Sequence, residues 1–403
     1  MPATAVAPTP HPGPACLLHR RRSLGIGDGR FVGTVALAEA PVGGGVTRLS
    51  LLDALALGPA AWDAVSARAV AASPFMSWAW HRAWADAAPR AEVEASEALL
   101  ITAPDGGGLQ AVLPVLPRRV TFRRVPVAAL TFAIGDAGCP DHLDVLALPE
   151  VDLDALVPAL EAMPWRILTL SNLAEHAPNA DRLSQALARR GHVARRAPLW
   201  GCPRLQLPAS WEDYLATLTA TRRQTVRRKE RNLSRHHRVE LVDYSDATFD
   251  TGWSHLVRLH EDRWNNAGAF RDPVAIALQR GFASQMAAQE AGGGRLWLTT
   301  LDLDGVPAAA WYGFAAGDTV YFYQSGRDPR WEGESVGLVL MGAMIRRAIE
   351  HGYTWFDFLR GEDAYKTQWT VSQRKTQELV VFRSGWRGQW VRALDWAAGI
   401  AHG

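Results

Sequence analysis

An internal repeat constrains the fold of this chain more than any other feature. Leu99-Leu100-Ile101-Thr102 is echoed by Leu296-Trp297-Leu298-Thr299, and in the same ungapped frame Asp105 answers to Asp302, Gly108 to Gly305 and Ala111 to Ala308. Each copy reads as strand, tight turn, strand. Asp and Gly supply the turn chemistry, since Gly tolerates positive φ and Asp can bond its own backbone. A chain of 403 residues is too long for one ordinary core, so the repeat predicts two related α/β halves.

The bulk numbers agree with a globular protein: 48% of residues are hydrophobic and 21% charged, ample material for buried cores. With a formal charge of +2, no global field draws the chain to nucleic acid or an anionic surface, and any anion site must be a local cluster. Cys16, Cys139 and Cys202 are far apart and fit no CxxC spacing, which argues against a disulfide framework or a cysteine zinc site. His260-Glu261 lacks the second histidine of a zincin helix, so no metal is expected. No apolar run is long enough to span a bilayer, and the reading is of a cytoplasmic protein. Arg20, Arg21 and Arg22 stand in a Pro-, Ala- and Gly-rich opening without an apolar signal-peptide core. Residues 1–45 are expected to be a disordered tail.

Hydrophobic periodicity then predicts the elements. In the first half a helix is expected over residues 73–88, with strands at 127–133 and 142–146, a helix at 153–162, a strand at 166–170 and a helix at 180–191. Residues 198–208, rich in proline, cross to the second half. There one long helix is expected over 211–235, a strand at 239–244, helices at 249–265 and 273–289, and strands at 295–301, 306–314 and 320–324. A helix at 335–351, a strand at 355–358 and a last strand at 378–382 follow. The fold class is α/β (α+β), with mixed sheets carrying helices on their faces. The expected domains are 46–204 and 205–383, with a C-terminal helix in 384–403.

Two segments carry candidate chemistry. A strand bearing Tyr321 and Tyr323 runs through Ser325-Gly326-Arg327-Asp328-Pro329 into a helix opened by Glu334-Ser335-Val336-Gly337. Bare N–H groups at such a helix start, with the helix dipole, suit a phosphate; an ordinary serine N-cap is the competing reading. The second segment is Asp357-Phe358-Leu359-Arg360-Gly361-Glu362-Asp363-Ala364-Tyr365-Lys366, a dense set of ionisable groups following a strand, where functional loops usually stand. Between Arg222 and Arg235 lies a basic helix with Glu230 as its single acid. Arg222 and Lys229 fall within its apolar stripe, and a cation aimed at a core usually has a partner or a ligand.

Residues 324–329, the Ser335-Val336-Gly337 helix start and Asp357-Phe358-Leu359-Arg360-Gly361 leading to Tyr365-Lys366 and Trp369 resemble the FemAB/CelD-like branch of the GNAT superfamily. The resemblance covers most of 205–382 and, more loosely, Ser73-Pro74-Phe75 and residues 141–146 of the first half. It implies two GNAT-like mixed-sheet domains in tandem, the first degenerate, and transfer of an acyl group from an acyl-CoA thioester to an amine. Arg327, Arg330, Ser335, Val336 and Gly337 would then hold the donor, although the usual pyrophosphate pattern of spaced glycines is reduced to Gly333 and Gly337. Tyr365 would be the acid for the departing thiolate, a placement carried over from the resemblance. Asp357 or Glu362 would take the amine proton, and Lys366 would hold the acyl oxygen or a phosphate. Arg222, Lys229, Tyr323, Asp141 and His142 are the candidate substrate-binding residues. Two other functions stay open: aminoacyl transfer from tRNA, with the basic helix on its backbone, and an inactive GNAT fold that partners polysaccharide machinery. The acceptor class is an amine-bearing small molecule or an envelope or exopolysaccharide precursor.

Overall fold

The computed structural model describes residues 45–69, 73–104, 108–264, 270, 272–288 and 294–400. Residues 1–44 of the expected tail, and with them Cys16 and the three arginines, lie outside these. The strands are β1 (Val46–Ser50), β2 (Glu97–Thr102), β3 (Leu109–Phe122), β4 (Val125–Phe132), β5 (Leu146–Ala147), β6 (Ile167–Leu173) and β7 (Val193–Gln206). The second half adds β8 (Val239–Asp243), β9 (Gly294–Leu303), β10 (Val306–Ala316), β11 (Thr319–Arg327), β12 (Trp355–Asp357) and β13 (Gln373–Phe382). All join one sheet in the order β1-β2-β3-β4-β6-β13-β7-β12-β11-β10-β9-β8, with β5 beside β3.

That order is a duplication with an exchange at its centre. From one edge, β1 to β4 pair antiparallel and β4 meets β6 in parallel. From the other edge, β8 to β11 pair antiparallel and β11 meets β12 in parallel. The strand that ends the first half, β7, pairs with β12 of the second, and β13 of the second half pairs with β6 of the first. The expected border at residue 204/205 therefore falls inside β7. The proline-rich crossing at 198–208 is largely strand, because Pro198 and Pro203 lie opposite Gln377 and Gln373 in the β7–β13 ladder.

The hairpins that revealed the repeat are not equivalent residue by residue. β9 and β10 are joined by Asp304-Gly305 alone, both at positive φ, the geometry a two-residue hairpin turn needs. The β2–β3 connection is longer, running from residue 103 to 108, and Asp302 lies within β9 rather than in a turn. Asp105 is outside the described residues.

β10 shows why the second half reads as nearly continuous apolar sequence. Ala309, Trp311 and Ala315 enter a core shared with the helices Ala220–His236 and Val336–Glu350. Ala310, Tyr312 and Phe314 enter the opposite core, so both faces of the strand are buried. That opposite core also contains residues of the helices Trp78–Ala87, Phe249–Trp264 and Pro273–Ala288 and extends through the first half without interruption.

Two expectations fail locally. The expected long helix over 211–235 is two helices, Trp211–Thr217 and Ala220–His236. Leu218 is extended, and the Thr219 hydroxyl accepts from the Arg222 N–H at 3.3 Å, a threonine N-cap that starts a new helix. Residues 142–146 do not form a strand: only Leu146 and Ala147 do, and His142 is left-handed at φ 57°. Cys202 is a buried thiol, free of any disulfide.

Candidate active site

β11 and β12 pair over three positions, Thr319–Trp355, Val320–Phe356 and Tyr321–Asp357. Beyond them the strands part. On its β10 side, β11 carries an irregularity: Tyr312 faces Gln324 and Gly313 faces Phe322, leaving Tyr323 as the extra residue. Such a bulge bends a strand and re-aims a side chain. The β11 edge from Phe322 to Arg327 therefore has no strand partner among the described residues. The first half parts in the same place, since β4 and β6 pair only at Ala129–Ile167, Leu130–Leu168 and Thr131–Thr169. There the gap is filled by the chain itself. The Leu143 N–H donates to Asn172 O at 2.8 Å, and the Ala174 N–H donates to Leu143 O at 2.8 Å.

At the head of the open gap stands the Val336–Glu350 helix. Ser335 adopts the left-handed conformation, φ 59° and ψ 36°, and its side chain caps nothing. The serine N-cap reading is thereby excluded, and the amides of Val336 and Gly337 have no hydrogen-bond partner among the described residues. A Cβ added at Gly333 would meet nothing within 4 Å, and one at Gly337 would meet only Arg327 Cδ at 3.7 Å. Lys229 reaches this loop from the basic helix, its Nζ donating to Gly333 O at 3.1 Å. Arg327 donates to Glu332 at 3.1 Å. Arg330 does not join them, because Asp328 holds its guanidinium through both carboxylate oxygens.

Tyr365, on the short helix Ala364–Thr367, packs edge-on to Phe322 with ring centroids 6.3 Å apart. The Arg263 guanidinium lies over its ring at 4.8 Å while donating to Ser325 Oγ at 2.7 Å. The phenol is thus beside the free edge of β11. Burial pushes its pKa up, which keeps the hydroxyl protonated and able to donate. Lys366 is buried, its Nζ donates to Arg360 O at 2.6 Å, and burial pulls its pKa down. Glu362 is exposed at the rim.

Asp357 does not suit the role of base. It is fully buried; burial alone would raise its pKa, but His142 and Arg374 hold it well below the usual carboxylate range. His142 Nε2 lies 3.4 Å from Asp357 Oδ2, Arg374 Nη2 2.8 Å from the same oxygen, and the Leu359 N–H donates to Oδ1 at 2.8 Å. A carboxylate so occupied positions the strand end.

Asp141 and Tyr323 are likewise drawn into the contact between the halves. Asp141 accepts from Arg360 Nε at 2.8 Å and from its backbone N–H at 2.9 Å. Arg360 also donates to Asp136 and to Pro140 O. The Tyr323 hydroxyl donates to Gly138 O and accepts from Gln279 Nε2 at 2.6 Å. First-half residues 136–142 thus form one wall of the second-half gap. Arg222 stands apart from this wall, its guanidinium over the Trp369 ring at 4.8 Å. Sequence reasoning missed Arg263, Arg360, Arg374 and Gln279. Arg360 lay inside the quoted motif, but its partners in the first half have no local signature.

Residues 220–367 match the family described as an acetyltransferase (GNAT) domain. Over those residues the chain is similar to a GNAT domain, within a fold like that of FemX. Its matched segment contains the parted strands, the Val336 helix and Tyr365. Among solved structures the chain resembles FemX, with a TM-score of 0.53 at 12% identity over 80% of this chain and 95% of that one. It also resembles a conserved protein of unknown function from Bacteroides thetaiotaomicron, with a TM-score of 0.53 at 12% identity over 81% of this chain and 98% of the other. At such identities the likeness is one of fold. No curated protein sequence matches the chain. The GNAT domain has an acyltransferase-like fold, and among the described residues no cluster of His, Cys, Asp or Glu could hold a metal ion.

Proposed function

We propose that the second half is a cytoplasmic N-acyltransferase that moves an acyl group from an acyl-CoA thioester to an amine, with the first half shaping the acceptor side. The observation that carries this reading is the free β11 edge, which runs from Phe322 toward the unpartnered amides of Val336 and Gly337. An edge inside the molecule offers backbone groups that pair with the extended, amide-bearing arm of a coenzyme A donor. The helix start takes its phosphates, with Lys229 and Arg327 alongside.

In the reaction the amine nitrogen attacks the thioester carbon, and the carbonyl oxygen becomes an oxyanion that needs hydrogen-bond donors. The C–S bond then breaks and the thiolate takes the Tyr365 hydroxyl proton, which burial holds on the phenol until that step; the tyrosinate left behind regains a proton from water. The amine proton leaves to Glu362, directly or through water, since Asp357 is engaged by His142 and Arg374. The filled gap at Leu143 in the first half supports a single donor site per chain.

Transfer from aminoacyl-tRNA is the second reading, favoured by Arg228, Arg231 and Arg235, which are exposed on the basic helix and form no ion pair among the described residues. Thermal unfolding with acetyl-CoA or tRNA separates the two. A ligand at 100 times its dissociation constant stabilises by about 2.7 kcal/mol. Stabilisation by acetyl-CoA alone supports the first reading. Stabilisation by tRNA alone, fading steeply with salt, supports the second.

A further inference from the structure

The helix Trp386–Ile400 follows β13 and lies on the outer face of the first-half sheet. Its inner side is anchored: Val391 is fully buried in the cluster that includes Val120, Phe122, Val125 and Phe382. Asp395 is 8% exposed and held by Arg123 at 2.9 Å and Arg195 at 2.8 Å. Among the described residues, the outer side carries three exposed indoles. Trp386 is 73% exposed, Trp390 44% and Trp396 71%. At 3.6 residues per turn these three fall within an arc of about 120°, on the side away from Val391 and Asp395. Outside this helix, no tryptophan whose burial is described is more exposed than Trp200, at 39%.

Indole is amphipathic, with a large apolar body and one N–H donor, and it settles where apolar and aqueous phases meet. The charge on and next to the helix is mainly positive: Arg123 and Arg195 hold Asp395, the helix's own carboxylate, Arg124 follows Arg123 in the chain, and Arg392 lies on the helix itself. Arg124 and Arg392 are exposed and form no ion pair among the described residues. A protein–protein contact centres on a patch depleted in charge. Here the indoles stand on a convex helix, spaced by Gln389 and Ala393, with cations at the margin. Such an arrangement fits the headgroup layer of an anionic bilayer.

We propose that this helix docks the protein on an anionic membrane surface, its three indoles at headgroup level and Arg124 and Arg392 on lipid phosphates. No helix among the described residues is long and apolar enough to cross a membrane, so the attachment is peripheral. It is independent of the acyl-transfer reading.

Cosedimentation of the full chain with vesicles of phosphatidylcholine, alone or mixed with phosphatidylglycerol, tests the proposal. Binding is expected to the mixed vesicles and to weaken strongly without phosphatidylglycerol or at high salt. Replacing Trp386, Trp390 and Trp396 together with serine should remove binding while the variant keeps the circular dichroism spectrum of the folded parent. Arg392→Glu, which keeps every indole, should weaken binding by about fivefold or more. The proposal is overturned if the parent ignores mixed vesicles, or if the triple variant binds them as the parent does. It is equally overturned if the parent self-associates without lipid and the triple variant is monomeric, which would make the face a contact between copies.

Discussion

Arg360 of the second half grips Asp141 of the first, Nε to Oδ1 at 2.8 Å, with the backbone N–H of Arg360 donating to the other carboxylate oxygen. Asp141 is fully buried and the Arg360 side chain is 14% exposed. Burial opposes the arginine's charge, yet Asp141 and Asp136 prevail and raise its pKa. Removing one partner of such a pair strands the other charge. Asp141→Ala or Arg360→Ala should each cost about 3–5 kcal/mol. The double variant should cost clearly less than the sum of the two, because neither charge is then left alone. Chemical denaturation of the four proteins measures this, and strict additivity would show that the pair does not couple the halves.

The Val336 helix start makes a separate prediction. A Cβ added at Gly337 meets only the flexible Arg327 Cδ at 3.7 Å, so Gly337→Val should fold normally. Its branches would cover the free amides and weaken acetyl-CoA binding, read by calorimetry, by about tenfold or more. An unchanged dissociation constant would remove the donor phosphates from this helix.

Stability should also depend on pH through two buried histidines. Burial lowers the pKa of both His81 and His260 from 6.5 to about 4. A folded-state pKa below the unfolded value means the unfolded chain binds more protons between the two. Their contribution is therefore complete above pH 6.5 and is lost as pH falls toward 4. Each histidine should give a slope of up to about 1.4 kcal/mol per pH unit in that window. Denaturation at several pH values checks this, and His81→Gln should flatten the dependence. Stability that rises on acidification over the same range would contradict the assignment.

What could be read from the sequence follows the range of the interactions. The helix Trp78–Ala87 was legible because local periodicity records which face is buried, and strands β9 to β11 because they are short apolar runs bounded by turn residues. The duplication was legible from one hairpin, although its turns proved unequal in length. The loop at Ser335 and the cluster at Tyr365 could be singled out because each lies in a connection that leaves a strand, β11 and β12. Asp357 looked like a base because its partners were invisible: His142 is in the first half and Arg374 is in β13, and no local pattern brings them together. The exchange of β7 and β13 was hidden for the same reason, since strand pairing across a chain leaves no mark on either strand's alternation. Arg263 has no local signature, because Ser325 and Tyr365, which it meets, lie far along the chain.

Tyr365→Phe is the most direct test of the account, because it keeps the ring against Phe322 and under the Arg263 guanidinium while removing the hydroxyl. With an amine acceptor in hand, single-turnover acyl transfer should fall by about 10²- to 10⁴-fold, the usual worth of a general acid, with acetyl-CoA affinity and melting temperature unchanged. A variant that binds donor normally and turns over within about threefold of the parent would reduce Tyr365 to a packing residue and contradict the assignment of the chemistry to the gap between β11 and β12.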